Sequence, residues 1–289
     1  MRLPARLAAV AAAGGVLIGW AAPAQPAAAV ALASLAGPAG VHAPGAAVEN
    51  AATGRLLWSR GLDTKRPMAS ITKVMTALVV IRAGGLGREV RVPAAAVSYV
   101  QGNGASSAGL HAGDWLTTQQ LLEALLLPSG CDAAYVLASA YGPGLSRFMA
   151  KMNTLAWQMG LGRTHFSSFD GLPWPTGNST YSTPADLLAI GRAAMTSAVF
   201  RAIVDQRTYR LGAGSGHHAY YWQTSNMLLG SYPGAIGIKT GWTGAAGYCL
   251  LFEARRGSRS LIGIVLDSSA TSRWASFSDA GQILNWAFR

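Results

Sequence analysis

Apolar and polar positions follow different rhythms along this chain, and each rhythm predicts a different kind of element. No charge interrupts the apolar run from Leu7 to Trp20. From Gln25 to about Pro44 the chain is almost entirely Ala, Pro, Gly, Val and Leu without a period, the composition of a flexible tether. Residues 47–50 and 56–58, on either side of Thr53-Gly54, read as a hairpin. Helical spacing without a breaker then runs over 69–81, with Pro67 just ahead, so Ser70 falls in the first turn. After a loop-rich stretch, Thr117-Thr118-Gln119-Gln120 matches a capping box before a leucine-rich helix that Pro128 ends. Ser129-Gly130-Cys131 therefore occupies a tight connection between helices. Phe148, Met152, Leu155 and Met159 recur at helical spacing as core, and Thr183-Pro184 opens another helix with Pro at its first position. In the last third, 235–240, 248–255 and 260–267 read as strands with Gly turns, and 274–288 as a closing helix. This order predicts an α/β fold: an antiparallel sheet completed by the N-terminal hairpin and flanked by helices, plus an inserted helical subdomain.

The start of the chain adds a compartment. Arg2 and Arg6 precede the apolar run, which is shorter than the ~20 residues of a membrane span, and small-x-small sites lie at Ala22-Pro23-Ala24 and Ala27-Ala28-Ala29. We read 1–29 as a signal peptide, 30–45 as a tether and 46–289 as the functional domain. The chain is thus expected to be exported, to the periplasm or the outer face of the envelope, without a stable membrane anchor after cleavage. With 289 residues, 51% of them hydrophobic, it is long enough for a full core. A net charge of +11, from 23 Lys and Arg against 12 Asp and Glu, favours anionic surroundings. No basic run longer than a pair and no zinc-finger spacing occurs, so nucleic acid is not an expected partner. Cys131 and Cys249 lack metal-ligand spacing, and we expect neither metal nor cofactor; a disulfide between them and two buried free thiols both remain open.

The chemistry rests on lysines, of which the chain holds four. Ser70 and Lys73, three apart at a helix start, share one face, so the amine can reach the hydroxyl. A serine needs such a base to act as a nucleophile, and the amine must be neutral to serve, which burial and a neighbouring cation such as Lys239 would promote. A lone S-x-x-K is a weak signal. Here Ser129-Gly130-Cys131 follows at a helix junction and Lys239-Thr240-Gly241 ends a predicted strand, where the glycine opens the backbone to a substrate.

With these motifs, and with Met68-Ala69-Ser70-Ile71-Thr72-Lys73, Asp132-Ala133-Ala134, Gly171-Leu172, Tyr181-Ser182-Thr183, Ser225-Asn226 and the segment from Gly237 through Gly247-Tyr248, residues 46–289 resemble the D-alanyl-D-alanine carboxypeptidases, low-molecular-weight serine penicillin-binding proteins. The resemblance implies a serine β-lactamase/transpeptidase-like fold and a partner, the peptidoglycan stem peptide ending in D-Ala-D-Ala, with β-lactams as covalent inhibitors. It implies that Ser70 attacks the peptide carbonyl, Lys73 takes its proton and Ser129 relays a proton to the departing D-alanine. Lys239 would support the charge pattern. Thr240 and Arg273 would hold the terminal carboxylate, and the backbone N–H groups of Ser70 and Trp242, beside Gly241, would form an oxyanion hole. Cys131 departs from the pattern, which has Asn there; a thiol replaces an amide that both donates and accepts.

Other readings are weaker. No G-x-S-x-G occurs, and the five histidines show no partner pattern for a Ser-His-Asp hydrolase; His217-His218 read as loop residues. A class A β-lactamase needs a glutamate for deacylation, yet between Asp132 and Lys239 the acids are Asp132, Asp170, Asp186 and Asp205, and Asp170, just before Gly171-Leu172, reads as a loop-ordering residue. An endopeptidase acting on the D-alanyl cross-link and a catalytically weak wall-binding module remain as alternatives.

Overall fold

The computed structural model describes residues 37–289. Strands β1 (Gly45–Asn50) and β2 (Leu56–Arg60) form the N-terminal hairpin, and β9 (Ala235–Thr243), β10 (Gly247–Arg256) and β11 (Arg259–Leu266) form the C-terminal meander. They join in one antiparallel sheet, in the order β2-β1-β11-β10-β9, because β1 pairs with β11 from Gly45 opposite Leu266 to Asn50 opposite Leu261. Chain ends far apart in sequence thus share a sheet whose free edge strand is β9.

Alternation along the strands explains the layering, since successive side chains point to opposite faces. Val48, Leu250, Phe252, Leu261 and Val265 pack toward the closing helix, Trp274–Ala287, with Ile283 and Leu284. Ala47, Leu251, Ile262 and Ile264 face the larger core on the other side, with Leu187 and Leu188 of the helix Pro184–Met195. Fully burying a side chain such as Phe252 contributes about 1.5–3 kcal/mol.

Between the two sheet halves lies the helical part. A 3-10 turn, Ala69–Ile71, runs into α1 (Thr72–Ala83), whose buried residues from Thr72 to Val80 make it the central helix. Then follow β4 (Glu89–Arg91), α2 (Ala94–Asn103), β5 (Trp115–Thr117), α3 (Thr118–Leu126), α4 (Cys131–Tyr141) and α5 (Leu145–Gln158). The capping box at Thr117 and Gln120 is complete, satisfying two helix-end N–H groups at once. Phe148, Met152 and Leu155 are buried as expected, and Thr183 caps α6 (Pro184–Met195) with Pro184 in its first turn. Helix α7 (Ala198–Val204), the hairpin β7 (Thr208–Leu211) and β8 (Tyr220–Gln223), and the closing helix α8 (Trp274–Ala287) complete the core architecture. Short strands β3 (Arg66–Pro67) and β6 (Tyr181–Ser182) pair beside the 3-10 turn. No single helix among the described residues is long and apolar enough to cross a membrane.

One boundary differs from the expectation. The signal-peptide reading, 1–29, and the tether reading up to residue 36 lie outside the described residues, but the end of the tether segment is part of the fold. Val41 and Ala43 are buried, the backbone N–H groups of His42 and Ala43 donate to the Asp279 carboxylate at 2.9 and 2.8 Å, and Arg60 donates to Val41 O at 2.7 Å. Composition could not show that a carboxylate on α8 captures these N–H groups.

Candidate active site

The edge strand β9 lies directly against the 3-10 turn that carries Ser70. A Cβ on Gly241 would sit 2.9 Å from Met68 O and 3.1 Å from Ser70 N, so only glycine permits this approach. Ala69 has φ +47°, a strained conformation for a residue with a Cβ, and Gly171 packs where a Cβ would stand 1.9 Å from Ala69 O. Two loops and a strand therefore hold Ser70 at the mouth of a cleft of about 670 Å3, lined also by Ser129, Cys131, Thr240, Trp242 and Arg273.

Beneath that mouth lies Lys73, 0% exposed. Its Nζ is 2.8 Å from Ser70 Oγ, 2.9 Å from Asp170 O and 3.3 Å from Cys131 Sγ. All three donor directions of the amine are thus occupied, none by a carboxylate. Lys239, 1% exposed, donates to Thr240 O at 3.0 Å. Burial, and then the charge of Lys73, pushes Lys239 well below the ordinary lysine range. Lys239, expected from sequence to act as a cation beside Lys73, is thus itself an amine whose charge burial makes costly.

Ser129 adopts φ +67° in the connection between α3 and α4, and its carbonyl accepts from Ser106 Oγ at 2.6 Å. Cys131, 1% exposed, opens α4; its N–H donates to Ser106 O at 2.8 Å and its sulfur lies 3.5 Å from Ser106 Oγ. Burial raises the Cys131 thiol above its ordinary range, keeping it neutral. Cys249 is also a buried free thiol, pushed up to about 12 by burial, so the two-thiol alternative holds and no disulfide forms. Thr240 Oγ1 meets Ser225 Oγ at 2.6 Å, which orients both hydroxyls at the cleft. Trp242 is exposed, with Nε1 donating to Ala270 O at 3.3 Å. Arg273 lines the far end and lies over the Trp274 ring at 5.1 Å. Among the described residues it is the one charged side chain lining this cleft.

The matches to known proteins decide the family: the D-alanyl-D-alanine carboxypeptidase profile (peptidase family S11) covers residues 30–270. This chain belongs to that family. It is 43% identical over 261 residues to a D-alanyl-D-alanine carboxypeptidase of Streptomyces sp. strain K15, covering 86% of this chain and 88% of the relative. A D-alanyl-D-alanine carboxypeptidase of Mycobacterium tuberculosis, DacB2, is 36% identical over 241 residues, covering 82% and 79%. The crystal structure of the Streptomyces K15 DD-transpeptidase superposes with a TM-score of 0.82 at 42% identity, covering 88% of this chain and 99% of that one. The expected fold is therefore present, the β-lactamase/transpeptidase-like arrangement of an antiparallel sheet with helices.

In this D-alanyl-D-alanine carboxypeptidase the structure brings together every site residue singled out from sequence: Ser70, Ser129, Cys131, Thr240, Gly241, Trp242 and Arg273 line the cleft, with Lys73 and Lys239 buried beside it. Two carboxylates from the recognised segments order the loops around these residues. Asp132 fixes the loop after α2 by accepting from Ser107 Oγ (2.7 Å), Ala108 N (2.9 Å) and Leu110 N (3.2 Å), which sets Ser106 beside Ser129. The Asp170 carboxylate accepts from Tyr99 Oη (2.9 Å), Ser168 Oγ (2.6 Å) and Leu172 N (3.0 Å), which fixes the carbonyl that receives Lys73. No group of His, Cys, Asp or Glu among the described residues could hold a metal ion.

Proposed function

We propose that this enzyme cleaves the bond between the two terminal D-alanines of a peptidoglycan stem peptide through an acyl-enzyme on Ser70. The observation that carries the reading is the buried Lys73 amine 2.8 Å from Ser70 Oγ, without a carboxylate partner. As Ser70 Oγ attacks the carbonyl carbon, its proton passes to the Lys73 amine, the general-base step worth about 10²–10⁴-fold. Negative charge then develops on the carbonyl oxygen, where the N–H groups of Ser70 and Trp242 are the donors; Gly241 supports this by letting β9 close on Ser70 N. Ser129 passes a proton to the departing D-alanine, whose carboxylate is held by Thr240 and Arg273, with Lys239 as the nearby amine. Water or an amine then releases the acyl group, giving carboxypeptidase or transpeptidase turnover.

β-Lactams fit the same cleft as acylating inhibitors. Their release should be slow, because among the described residues no carboxylate lines the cleft to activate water and that of Asp170 is engaged by three donors. The basic exported chain would act at the cell wall, the setting of its family, with the signal peptide removed.

Replacing Ser70 by Ala removes one half-exposed hydroxyl and no core volume, so the protein should fold and lose all labelling by a fluorescent penicillin. Labelling that persists on the variant and maps by peptide mass to another serine would overturn the assignment.

A further inference from the structure

Away from the cleft, a crevice of about 400 Å3 is lined by Glu89, Trp115, Ser215, His217 and the backbone of Gly214 and Gly216. Strand pairing ties it to the active site. The register of β7 with β8, Leu211 opposite Tyr220, continues to Gly214 opposite His217, where the chain turns through Ser215-Gly216. Trp115 N donates to Gly216 O at 2.8 Å, fastening β5 to this tip. At the other end of the hairpin, Gln223 and Thr224 line the cleft. Six residue steps, the last of them in β8, separate His217 from Gln223, at most about 20 Å at 3.3 Å per residue.

The crevice has the chemistry of a sugar site. Trp115, 46% exposed, offers a flat apolar ring to the C–H face of a pyranose, which desolvates without losing hydrogen bonds. Polar groups at the rim can meet the hydroxyls and amide that project from such a ring: the Glu89 carboxylate, the Ser215 hydroxyl and His217. His217 Nδ1 lies 2.9 Å from the His218 carbonyl, which can only accept, so Nδ1 donates and the ring is held in place. The Glu89 charge disfavours a phosphate or other anion.

We propose that this crevice is a saccharide subsite for an amino-sugar ring of the glycan strand whose stem peptide reaches the cleft from the leaving-group side. The inference rests on the function proposed above, in which Thr240, hydrogen-bonded to Ser225 just beyond β8, marks the side where D-alanine departs and an acceptor amine enters. Two extended residues at up to ~3.6 Å each, a long amine side chain and the link to the sugar give a span on the order of 15–20 Å. That is the range spanned by the run from His217 to Gln223.

Two measurements test it. Acyl transfer from a simple pentapeptide donor is compared for a glycan-bearing acceptor peptide and the bare peptide, and the readout is the ratio of the two transfers. The wild-type ratio should exceed about ten and fall to near one in Trp115→Ala, a change of about 1.4 kcal/mol in discrimination; a structural defect would slow both transfers and leave the ratio intact. A wild-type ratio near one, or an unchanged ratio in the variant, overturns the subsite. The second arm needs no turnover: calorimetric titration of the Ser70→Ala protein with N,N′-diacetylchitobiose should show saturable binding that Trp115→Ala abolishes. Equal binding by both proteins, or none by either, overturns the subsite whether or not the peptidase reading stands, whereas failure of donor turnover alone counts against that reading.

Discussion

The two walls of the cleft each bury a lysine, and the two lysines live in opposite surroundings. On the helical wall, Lys73 has three acceptors within 3.3 Å, contributed by Ser70, Asp170 and Cys131 from three separate segments. On the strand wall, Lys239 has the carbonyl of Thr240, and its desolvation lowers its affinity for a proton. The same side chain thus serves two ends. In the proposed mechanism the helical wall holds the base in fixed register with Ser70, while the strand wall holds an amine whose charge is costly until an anion arrives. A substrate carboxylate beside Thr240 would remove that cost, and this couples recognition of the D-alanine terminus to the electrostatics of the site.

Breaking the helical wall should have the larger effect. Lys73→Ala removes the base and leaves Ser70, so acylation by penicillin should slow about 10²–10⁴-fold. Stopped-flow acylation measures this, and a loss below tenfold would move the base elsewhere. Lys239→Met should cost less, about tenfold to a hundredfold in acylation by carboxylate-bearing substrates, the worth of a charged hydrogen bond of ~1.5–3 kcal/mol. The same variant reports on protons. Lys239 is depressed in the fold, so the unfolded chain binds the proton more tightly; stability rises with pH towards the ordinary lysine value of 10.5 and is lost as pH falls through the depressed one. The methionine variant should flatten that slope in thermal melts. Binding of a D-alanine-terminated ligand to Ser70→Ala protein should also take up protons in calorimetry across two buffers, and Lys239→Met should take up none. Zero uptake in both would mean that Lys239 is already charged in the free enzyme.

The walls also differ in how legible they were. Strands β9, β10 and β11 show apolar runs bounded by glycine turns, and their pairing with the N-terminal hairpin follows because the edge of β11 needs a partner. Ser70 with Lys73 is visible because three residues on one helix is a local relation. Helix α2 was read as loop: Pro93 precedes it, Ser98, Gln101, Gly102 and Asn103 crowd it from the middle on, and of its apolar residues only Ala96 and Val100 are buried. The β7–β8 hairpin was hidden by its Gly-rich turn and paired histidines. Asp170 was recognised as a loop-ordering residue, but its carbonyl reaches Lys73 across 97 positions of sequence, and a main-chain acceptor leaves no mark on residue type. Ser106 is similar, placed beside Ser129 only because Asp132 gathers the loop.

The smallest expected effect concerns the atom where the helical wall departs from its family pattern. Cys131 Sγ touches Lys73 Nζ at 3.3 Å and Ser106 Oγ at 3.5 Å, and burial keeps the thiol neutral, a weak acceptor for the amine. An amide oxygen there would accept more strongly, and its NH2 could donate toward the substrate carbonyl. One such hydrogen bond contributes about 0.5–1.5 kcal/mol, so Cys131→Asn should raise the acylation rate by about tenfold at most. The amide is also larger than the thiol, and the site is 1% exposed; overpacking of this kind costs about 1–3 kcal/mol of stability. The variant should therefore acylate faster and melt at a lower temperature, read by stopped-flow with a D-alanyl-D-alanine peptide and by calorimetry. Slower acylation in a well-folded variant would show that Ser106 and Asp170 have set Lys73 around the thiol, so that the sulfur belongs to the working geometry of this wall.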